Sequence, residues 1–527
     1  MCAQGKGDDE MSQIQVTDLS FAYDTHFDPV FEHVSVRLDT DWKTGLIGRN
    51  GTGKTTFLKL LAGRYSYRGG IRMTETAEYF PVEIRGVDQP AMEILEEMDP
   101  GYEFWRVLRE MEWMNLDPGI LERAYGTLSP GERIRLQLAV LFAKEHAFLL
   151  IDEPTNHLDE EGRQLLASYL RKKKGFLLVS HDRRLLDACT DHTMAIERSS
   201  IRIYRGSFRT WLREKKLRDQ MELEQNQKLK KEIRHLEAAA REAGRWAGNK
   251  EKEKFGHKIG GLRPDRGAVG HKAAKMMKRS KVLERRREKA AREKEGLLKD
   301  IETVEELKMF PLTAGKERLV SVEELTFRNG NKKILTDVSM EIRRGDRIAL
   351  KGPNGCGKST LLKLISGVYE PQDGRIWIQG GLKISIVSQD SSGMAGTLEE
   401  LEEKAGLDPT LFRTVLRKLD FSRNQFEKRL EEYSEGQRKK VLLARSLCEP
   451  SHLYIWDEPL NYIDIFTRMQ MEELILERKP TLIFVEHDSV FTGRIARKVL
   501  RFEKDPGSDG FRVVLEQCGV DKERMDV

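Results

Sequence analysis

Cysteine is scarce in this sequence and no long apolar run occurs, and each absence narrows what the chain can be. The five cysteines, at positions 2, 189, 356, 448 and 518, are scattered, odd in number and never spaced as Cys-x-x-Cys. That distribution argues against a disulfide framework and against a zinc site, and it suits a reducing cytoplasm. The longest apolar stretches, such as 147–151 and 481–485, have the length of a core strand. They fall far short of the roughly 20 residues a membrane helix needs. The first ten residues are polar and end in Asp8-Asp9-Glu10, so they offer no apolar signal-peptide core. A soluble, cytoplasmic chain with no membrane partner is expected.

Length and charge are what the chain does have. Its 527 residues are enough for two large domains and a connector. Charged residues make up 34% of the whole, more than the surface of two compact domains ordinarily carries, so part of the charge is expected outside the cores.

Four landmarks occur twice in the same order at a nearly constant displacement. Lys54 and Lys358 lie 304 positions apart, Ser129 and Ser434 305, Asp152 and Asp457 305, and His181 and His487 306. A register held that closely marks a duplicated domain. Around each first landmark the sequence reads strand, glycine loop, helix: 42–47 before Gly48 and 347–351 before Gly352, then 55–61 and 359–365. This is the P-loop unit. Later in each copy come two further apolar strands, 148–151 and 176–179 or 453–456 and 482–485. Alternation of strands with helices predicts an open α/β sheet in each copy.

The glycine loops are Gly48-Arg49-Asn50-Gly51-Thr52-Gly53-Lys54-Thr55, followed by Thr56, and Gly352-Pro353-Asn354-Gly355-Cys356-Gly357-Lys358-Ser359, followed by Thr360. Both fit the Walker A pattern, in which glycines let backbone N–H groups close around phosphate oxygens at a helix N-terminus. Lys54 and Lys358 are expected to reach the β- and γ-phosphates of ATP, and the Thr55 and Ser359 hydroxyls to ligate Mg²⁺. A single such loop would also suit an ordinary turn before a helix; two in register do not. Asp152 and Asp457 end their strands and are expected to support the Mg²⁺, while Glu153 and Glu458 stand where a carboxylate polarises an attacking water. An isolated Asp-Glu pair would more often cap the next helix. The histidines that follow each glutamate by 28 or 29 residues, His181 and His487, favour the catalytic reading.

Between these landmarks lie Leu128-Ser129-Pro130-Gly131-Glu132 and Tyr433-Ser434-Glu435-Gly436-Gln437, each serine 23 residues before its aspartate. Alone, Ser-x-Gly is a common helix cap. At this position it resembles the signature motif of the ATP-binding cassette family. The resemblance implies an α/β fold of two P-loop ATP-binding cassette domains that form two composite sites at their interface. Walker A residues 48–55 would pair with Ser434 and Gly436, and 352–359 with Ser129 and Gly131, each signature binding the γ-phosphate held by the opposite cassette. ATP would then draw the halves together within one monomer, and hydrolysis would release them. The Q-loop glutamine of the family is present as Gln389, near nucleotide and metal, but the matching stretch 79–82 of the first copy has none. Pro130 replaces the usual glycine and removes a backbone donor. Tyr23 suits stacking on adenine in the first site, whereas the second offers Phe327. The two sites are expected to be unequal.

The segment from Trp211 to Phe310 carries 29 Lys/Arg against 18 Asp/Glu, a net of +11 where the whole chain is only +5. The cassettes are therefore acidic and the connector strongly basic, the distribution expected of a nucleic-acid contact, although charged helices also serve as solvated coiled-coil faces. Leu229, Ile233 and Leu236 recur at helical spacing, as do Leu297, Ile301 and Val304, and glycines between 256 and 270 interrupt them. The pattern predicts a helix, a glycine-rich tip and a returning helix, roughly 60 Å long at about 1.5 Å per residue. The expected boundaries are a tail over 1–11, a first cassette over 12–207, a long α-helical hairpin linker over 208–315 with its tip near 250–272, and a second cassette over 316–527.

Tandem cassettes with a charged hairpin between them, and no membrane domain, resemble the ABC-F proteins. The opening run from Leu19-Ser20-Phe21-Ala22-Tyr23-Asp24 to Ile47-Gly48-Arg49-Asn50 is similar to the Lsa-type antibiotic-resistance subgroup. That resemblance implies a partner, the bacterial 70S ribosome, bound at its E site beside the P-site tRNA and 23S rRNA. The hairpin tip would displace lincosamide, pleuromutilin or streptogramin A drugs, with Lys254, Phe255 and His257 as tip contacts. Phe255 would stack on bases or drug, or else simply close the turn. The shortness of 83–127, about equal to 390–432, leaves no room for the extra arm of housekeeping ABC-F translation factors, and only 40 residues follow His487. Alternatives are a translation factor acting on stalled ribosomes without drug specificity, the detached ATPase of a transporter, and a DNA-repair ATPase.

Overall fold

The computed structural model describes residues 13–23, 29–156, 158–197, 200–253, 278, 282, 286, 289, 307–505 and 510–517. The chain forms two compact units, one made by Met1–Trp211 with Glu305–Val527 and the other by Leu212–Val304.

Both copies of the repeat lie in the first unit. In the first copy a six-stranded sheet runs in the order Thr76–Phe80, Ala147–Asp152, Phe176–Val179, Lys43–Ile47, His192–Glu197 and Ser200–Arg205. The first five strands are parallel, and the last pairs antiparallel with its neighbour. Its central strands Ala147–Asp152 and Phe176–Val179 are near-continuous apolar runs because helices cover both faces of a parallel sheet. An antiparallel sheet of Phe31–Asp39, Gln13–Phe21 and Arg68–Met73 packs beside it, and Ile14, Val16, Leu19 and Leu38 form a common core with Leu58, Leu60 and Phe148.

The second copy repeats this plan with one difference. Leu335 pairs with Phe511 and joins the antiparallel part to the parallel part, so nine strands form one sheet. Its parallel centre, Arg347–Lys351, Leu482–Val485, Leu453–Asp457 and Ile384–Val387, reproduces the order of the first copy. The expected α/β fold with two P-loop domains is thus observed. In each copy the functional loops leave the carboxyl ends of these parallel strands, where open α/β sheets bind their ligands.

An unbroken helix runs from Phe208 to Glu253, most of it in the second unit. Its sequence is rich in Glu, Lys, Arg, Gln, Leu and Ala and lacks proline, so intrinsic propensity favours helix along its length. Asn226 and Ile233 are buried, whereas Leu217, Met221 and Leu223 are exposed. Lys278, Val282, Arg286 and Lys289 are helical and exposed. The proposed tip residues Lys254, Phe255 and His257, the side chain of Leu236, and Leu297, Ile301 and Val304 lie outside the described residues. Among the described residues no helix is long and apolar enough to cross a membrane.

Candidate nucleotide sites

Each glycine loop bridges a central strand and a short helix, Lys43–Ile47 to Lys54–Leu61 in the first copy and Arg347–Lys351 to Lys358–Ile365 in the second. The helix caps Gly53 and Gly357 have φ of 92° and 101°. A Cβ on Gly53 would stand 2.6 Å from Val30 Cγ1 and 2.8 Å from Phe31 Cζ; one on Gly357 would stand 2.8 Å from Ile334 Cγ2. Only glycine satisfies both the backbone and the packing there. Lys54 Nζ donates to the carbonyls of Gly48 and Arg49 at 2.9 and 2.8 Å, and Lys358 Nζ to those of Gly352 and Pro353 at 2.8 and 2.9 Å. Each loop is therefore curled around its own ammonium. Burial lowers the Lys54 pKa, against the carboxylates of Glu153, Asp464 and Asp152. Asn50 and Thr52 are half-buried with Gly51 exposed between them, and in the second loop Asn354 and Gly355 are exposed beside half-buried Thr360.

The acidic pair ends the neighbouring strand. Tyr79 donates its phenol O–H to Asp152 Oδ2 at 2.9 Å, and burial raises that carboxyl against the lowering influence of Thr55 and Tyr79. In the second copy Ser359 takes the place of Thr55 at Asp457, again with burial raising the acid, and lies 3.3 Å from Gln389 Oε1. Asp152 Oδ1 and Asp457 Oδ1 are buried without a partner. Hydroxyl, carboxylate and amide oxygens with one carboxylate oxygen left over make a donor set suited to a hard divalent cation and its water shell.

Glu153 and Glu458 share a left-handed backbone, φ 48° and 51°, which turns each side chain off the strand end toward a histidine. His181 Nε2 lies 3.4 Å from Glu153 Oε1, and its backbone N–H donates to Glu153 Oε2 at 3.3 Å. His487 Nε2 lies 3.3 Å from Glu458 Oε1, and Asn461 Nδ2 donates to Glu458 Oε2 at 2.8 Å. Burial and the charge of Asp152 push Glu153 up to about 7. Burial also acts to raise Glu458, but the hydrogen bond and charge of His487, with Lys439 and Asn461, hold it below the usual range. Burial, then Lys54 and Arg468, lowers His181 well below an ordinary histidine.

Around the first loop these groups enclose a cavity of about 450 Å³ whose wall includes Tyr23, Lys54, Thr55 and Asp152, together with Tyr462 and Arg468 of the second copy. Tyr23 hydrogen-bonds Thr56 through its hydroxyl at 2.8 Å and packs edge-on against Phe21. Asn50 Nδ2 donates to the Tyr462 carbonyl at 2.9 Å, joining the two copies directly. Ser434 caps the helix Glu435–Cys448 in a capping box with Gln437, and Gly436 packs under the Tyr462 ring, 3.0 Å from where its Cβ would lie. Tyr462, bonded to Glu435 at 3.3 Å, lines the cavity, whereas Ser434 and Gly436 do not. On the opposite side Ser129 caps Pro130–Ala143 with Glu132, with Pro130 in the first helical position and Gly131 next, and Lys351 reaches Glu160 of the first copy at 3.2 Å.

Sequence reasoning missed Tyr79, Gln137, Tyr462 and Arg468. In the first copy the sheet register sets Val82 at the place of Gln389. Gln137 accepts from the Val82 N–H and donates to its carbonyl, both at 3.1 Å, and bonds Tyr125 at 2.9 Å. A polar residue inside the apolar run 136–143 was the available signal for Gln137. Nothing local marks Arg468.

Residues 31–156 and 335–461 match the family model described as ABC transporter. Over 97% of this chain and 88% of the other, the sequence is 28% identical to the ribosome protection protein VmlR of Bacillus subtilis. It is 30% identical to the ATP-binding protein Uup of Caulobacter vibrioides over 91% of this chain and 76% of that one. The fold matches the archaeal ribosome recycling factor aABCE1, solved in complex with the ribosomal stalk protein aP1, with a TM-score of 0.63 at 20% identity over 95% of this chain and 90% of that one. Duplicated glycine loops, paired acids and histidines at matching positions, and kinship along nearly the whole length agree: the chain belongs to the ABC-F family, and it is a tandem-cassette ATPase.

Proposed function

We propose that this ATPase is a ribosome protection factor of the Lsa type. In the ATP-bound state it docks at the E site of the bacterial 70S ribosome as a cytoplasmic monomer with its own cassettes paired. The basic hairpin then approaches the P-site tRNA and 23S rRNA and displaces lincosamide, pleuromutilin or streptogramin A drugs from the peptidyl-transferase centre. Lys254, Phe255 and His257 are the residues assigned to that contact. Hydrolysis releases the protein. Mg²⁺ supplies charge neutralisation at the phosphates when bound, held by Thr55 and Asp152 in the first site and by Ser359, Asp457 and Gln389 in the second. Glu153 and Glu458 orient and deprotonate the attacking water, and His181 and His487 fix those carboxylates.

The observation that carries the reading is the first site, whose walls come from both cassettes and whose loop is bonded across the interface from Asn50 to Tyr462. A triphosphate bound there interacts with both halves at once, so its γ-phosphate has the differential affinity that a closing switch requires. The likeness to VmlR over nearly the whole chain and the net +11 of the connector support a ribosomal target. Likeness to Uup supports a second reading, a translation factor acting on stalled ribosomes without drug specificity.

Sedimentation with 70S particles tests the proposal. The double variant E153Q/E458Q, which binds ATP without activating water, is expected to pellet with ribosomes in ATP and to remain in solution without it. Its absence from the pellet in ATP refutes ribosome protection. Expression in a susceptible bacterium separates the two readings: raised inhibitory concentrations for these drugs are expected, and unchanged ones assign the protein to the second.

A further inference from the structure

The duplication allows the cassettes to be compared position by position, and among the described residues one interface contact exists on one side only. In the second cassette Arg468 stands in the first turn of the helix Ile465–Arg478 and is buried. Its Nε donates to the Ile463 carbonyl at 2.9 Å and its Nη2 to the Leu460 carbonyl at 3.0 Å, tying down the loop that follows Glu458. Its Nη1 lies 3.4 Å from Asp488 Oδ2 and donates at 3.3 Å to the carbonyl oxygen of His181 in the first cassette. Two residues beyond His181, Arg183 is buried in a salt bridge with Glu472 and lies 3.4 Å from Asp488. Arg494 holds the second oxygen of Glu472 at 2.5 Å. The His181 segment is thus gripped by the second cassette at its backbone and at a neighbouring side chain.

The mirror-related positions lack this grip. Arg163 corresponds to Arg468 and bonds its own loop at Leu158 and its own Asp182, at 3.0 and 3.2 Å. Among the described residues it makes no bond to the His487 carbonyl. Ser489 stands where the first cassette has Arg183, and Ala167 where the second has Glu472, so no ion pair can cross there.

We propose that Arg468 is a positioning residue for ATP hydrolysis at the first site: by holding the His181 peptide across the interface, it sets where His181 places Glu153, and it does so only when the second cassette is docked. His181 contacts Glu153 twice, through its ring at 3.4 Å and its backbone N–H at 3.3 Å. A shift of its peptide therefore moves both contacts on the water-polarising carboxylate together. Displacements of about 1 Å at such a group can slow chemistry on the order of 10²-fold. The second site carries the same His487–Glu458 pair without the cross-cassette anchor, so the coupling of docking to chemistry is one-sided.

The proposal rests on Glu153 and Glu458 being the water-polarising residues, and the E153Q and E458Q single variants check that separately, since each should lose cleavage at its own site. In full-length protein, E458Q leaves cleavage to the first site and E153Q to the second. Single-turnover cleavage of ATP is measured in each background with and without R468K or R468Q. R468K keeps a cation beside Asp488 but cannot make the three separate bonds to Leu460, Ile463 and His181; the first two belong to the loop after Glu458, so the ratio of the two sites reads out the His181 contact, and the variant remains informative if R468Q fails to fold. R468K is expected to lower the ratio of first-site to second-site cleavage rates about tenfold, with half-saturating ATP changed less than about twofold. An unchanged ratio, whether neither site slows or both slow alike, overturns the proposal. A loss carried by weaker ATP binding overturns it as well.

Discussion

Lowering the pH should silence one nucleotide site and spare the other. Glu153 and Glu458 occupy equivalent places, each with a left-handed backbone and a histidine ring nitrogen within 3.4 Å. Their carboxyls are nevertheless held differently: burial and Asp152 push Glu153 up to about 7, while His487, Lys439 and Asn461 keep Glu458 below the ordinary range despite its burial. A group that accepts a proton from water must be ionised. With a pKa near 7 the ionised fraction of Glu153 is about one tenth at pH 6 and about nine tenths at pH 8, whereas Glu458 stays ionised throughout. First-site cleavage, isolated in E458Q, should therefore fall roughly tenfold from pH 8 to pH 6, and second-site cleavage, isolated in E153Q, should change less than about twofold. Single-turnover quench-flow with saturating ATP at each pH measures both. Parallel profiles, or a second site more acid-sensitive than the first, would refute the assignment of these environments.

Two further outcomes follow from packing. Arg183→Met leaves Glu472 and Asp488 buried with fewer partners; because Arg494 still faces Glu472 and Arg468 still faces Asp488, the loss should be about 3 kcal/mol, the low end for breaking a buried pair, seen as a lower urea midpoint. A midpoint equal to that of the parent chain contradicts it. Gly53→Ala places a methyl group into Val30 and Phe31 at a backbone φ of 92°, so first-site affinity for a fluorescent ATP analogue should drop at least about tenfold with the circular dichroism spectrum unchanged; undiminished binding contradicts that account.

The parts legible from sequence were those governed by local rules. Gly53 and Gly357 close loops that leave a strand and start a helix within a few residues, each with a left-handed backbone, and the glycine pattern of those loops is written in consecutive letters. Apolar runs such as Phe148–Ile151 announced central parallel strands for the same reason. The cross-cassette contacts were illegible because nothing local encodes them: Asn50 meets Tyr462 from 412 positions away, and Arg468 meets His181 from 287. Tyr79 was illegible on the same ground, since its hydroxyl bonds Asp152 from 73 positions away. So was the contact of Tyr462 with Glu435, beside the signature serine Ser434, because the spacing of the motif encodes nothing about the loop after Glu458.

The one-sided grip on His181 also limits how the two halves can be rearranged. A molecule assembled from two copies of the first half would meet itself with Arg163 already committed to Asp182, and with Arg183 facing an alanine where Glu472 belongs. Two copies of the second half would offer Ser489 in place of Arg183. Neither symmetric pairing carries both Arg183 and Glu472 across its interface, so exchanging halves between related proteins should preserve this ion pair only when both residues travel together.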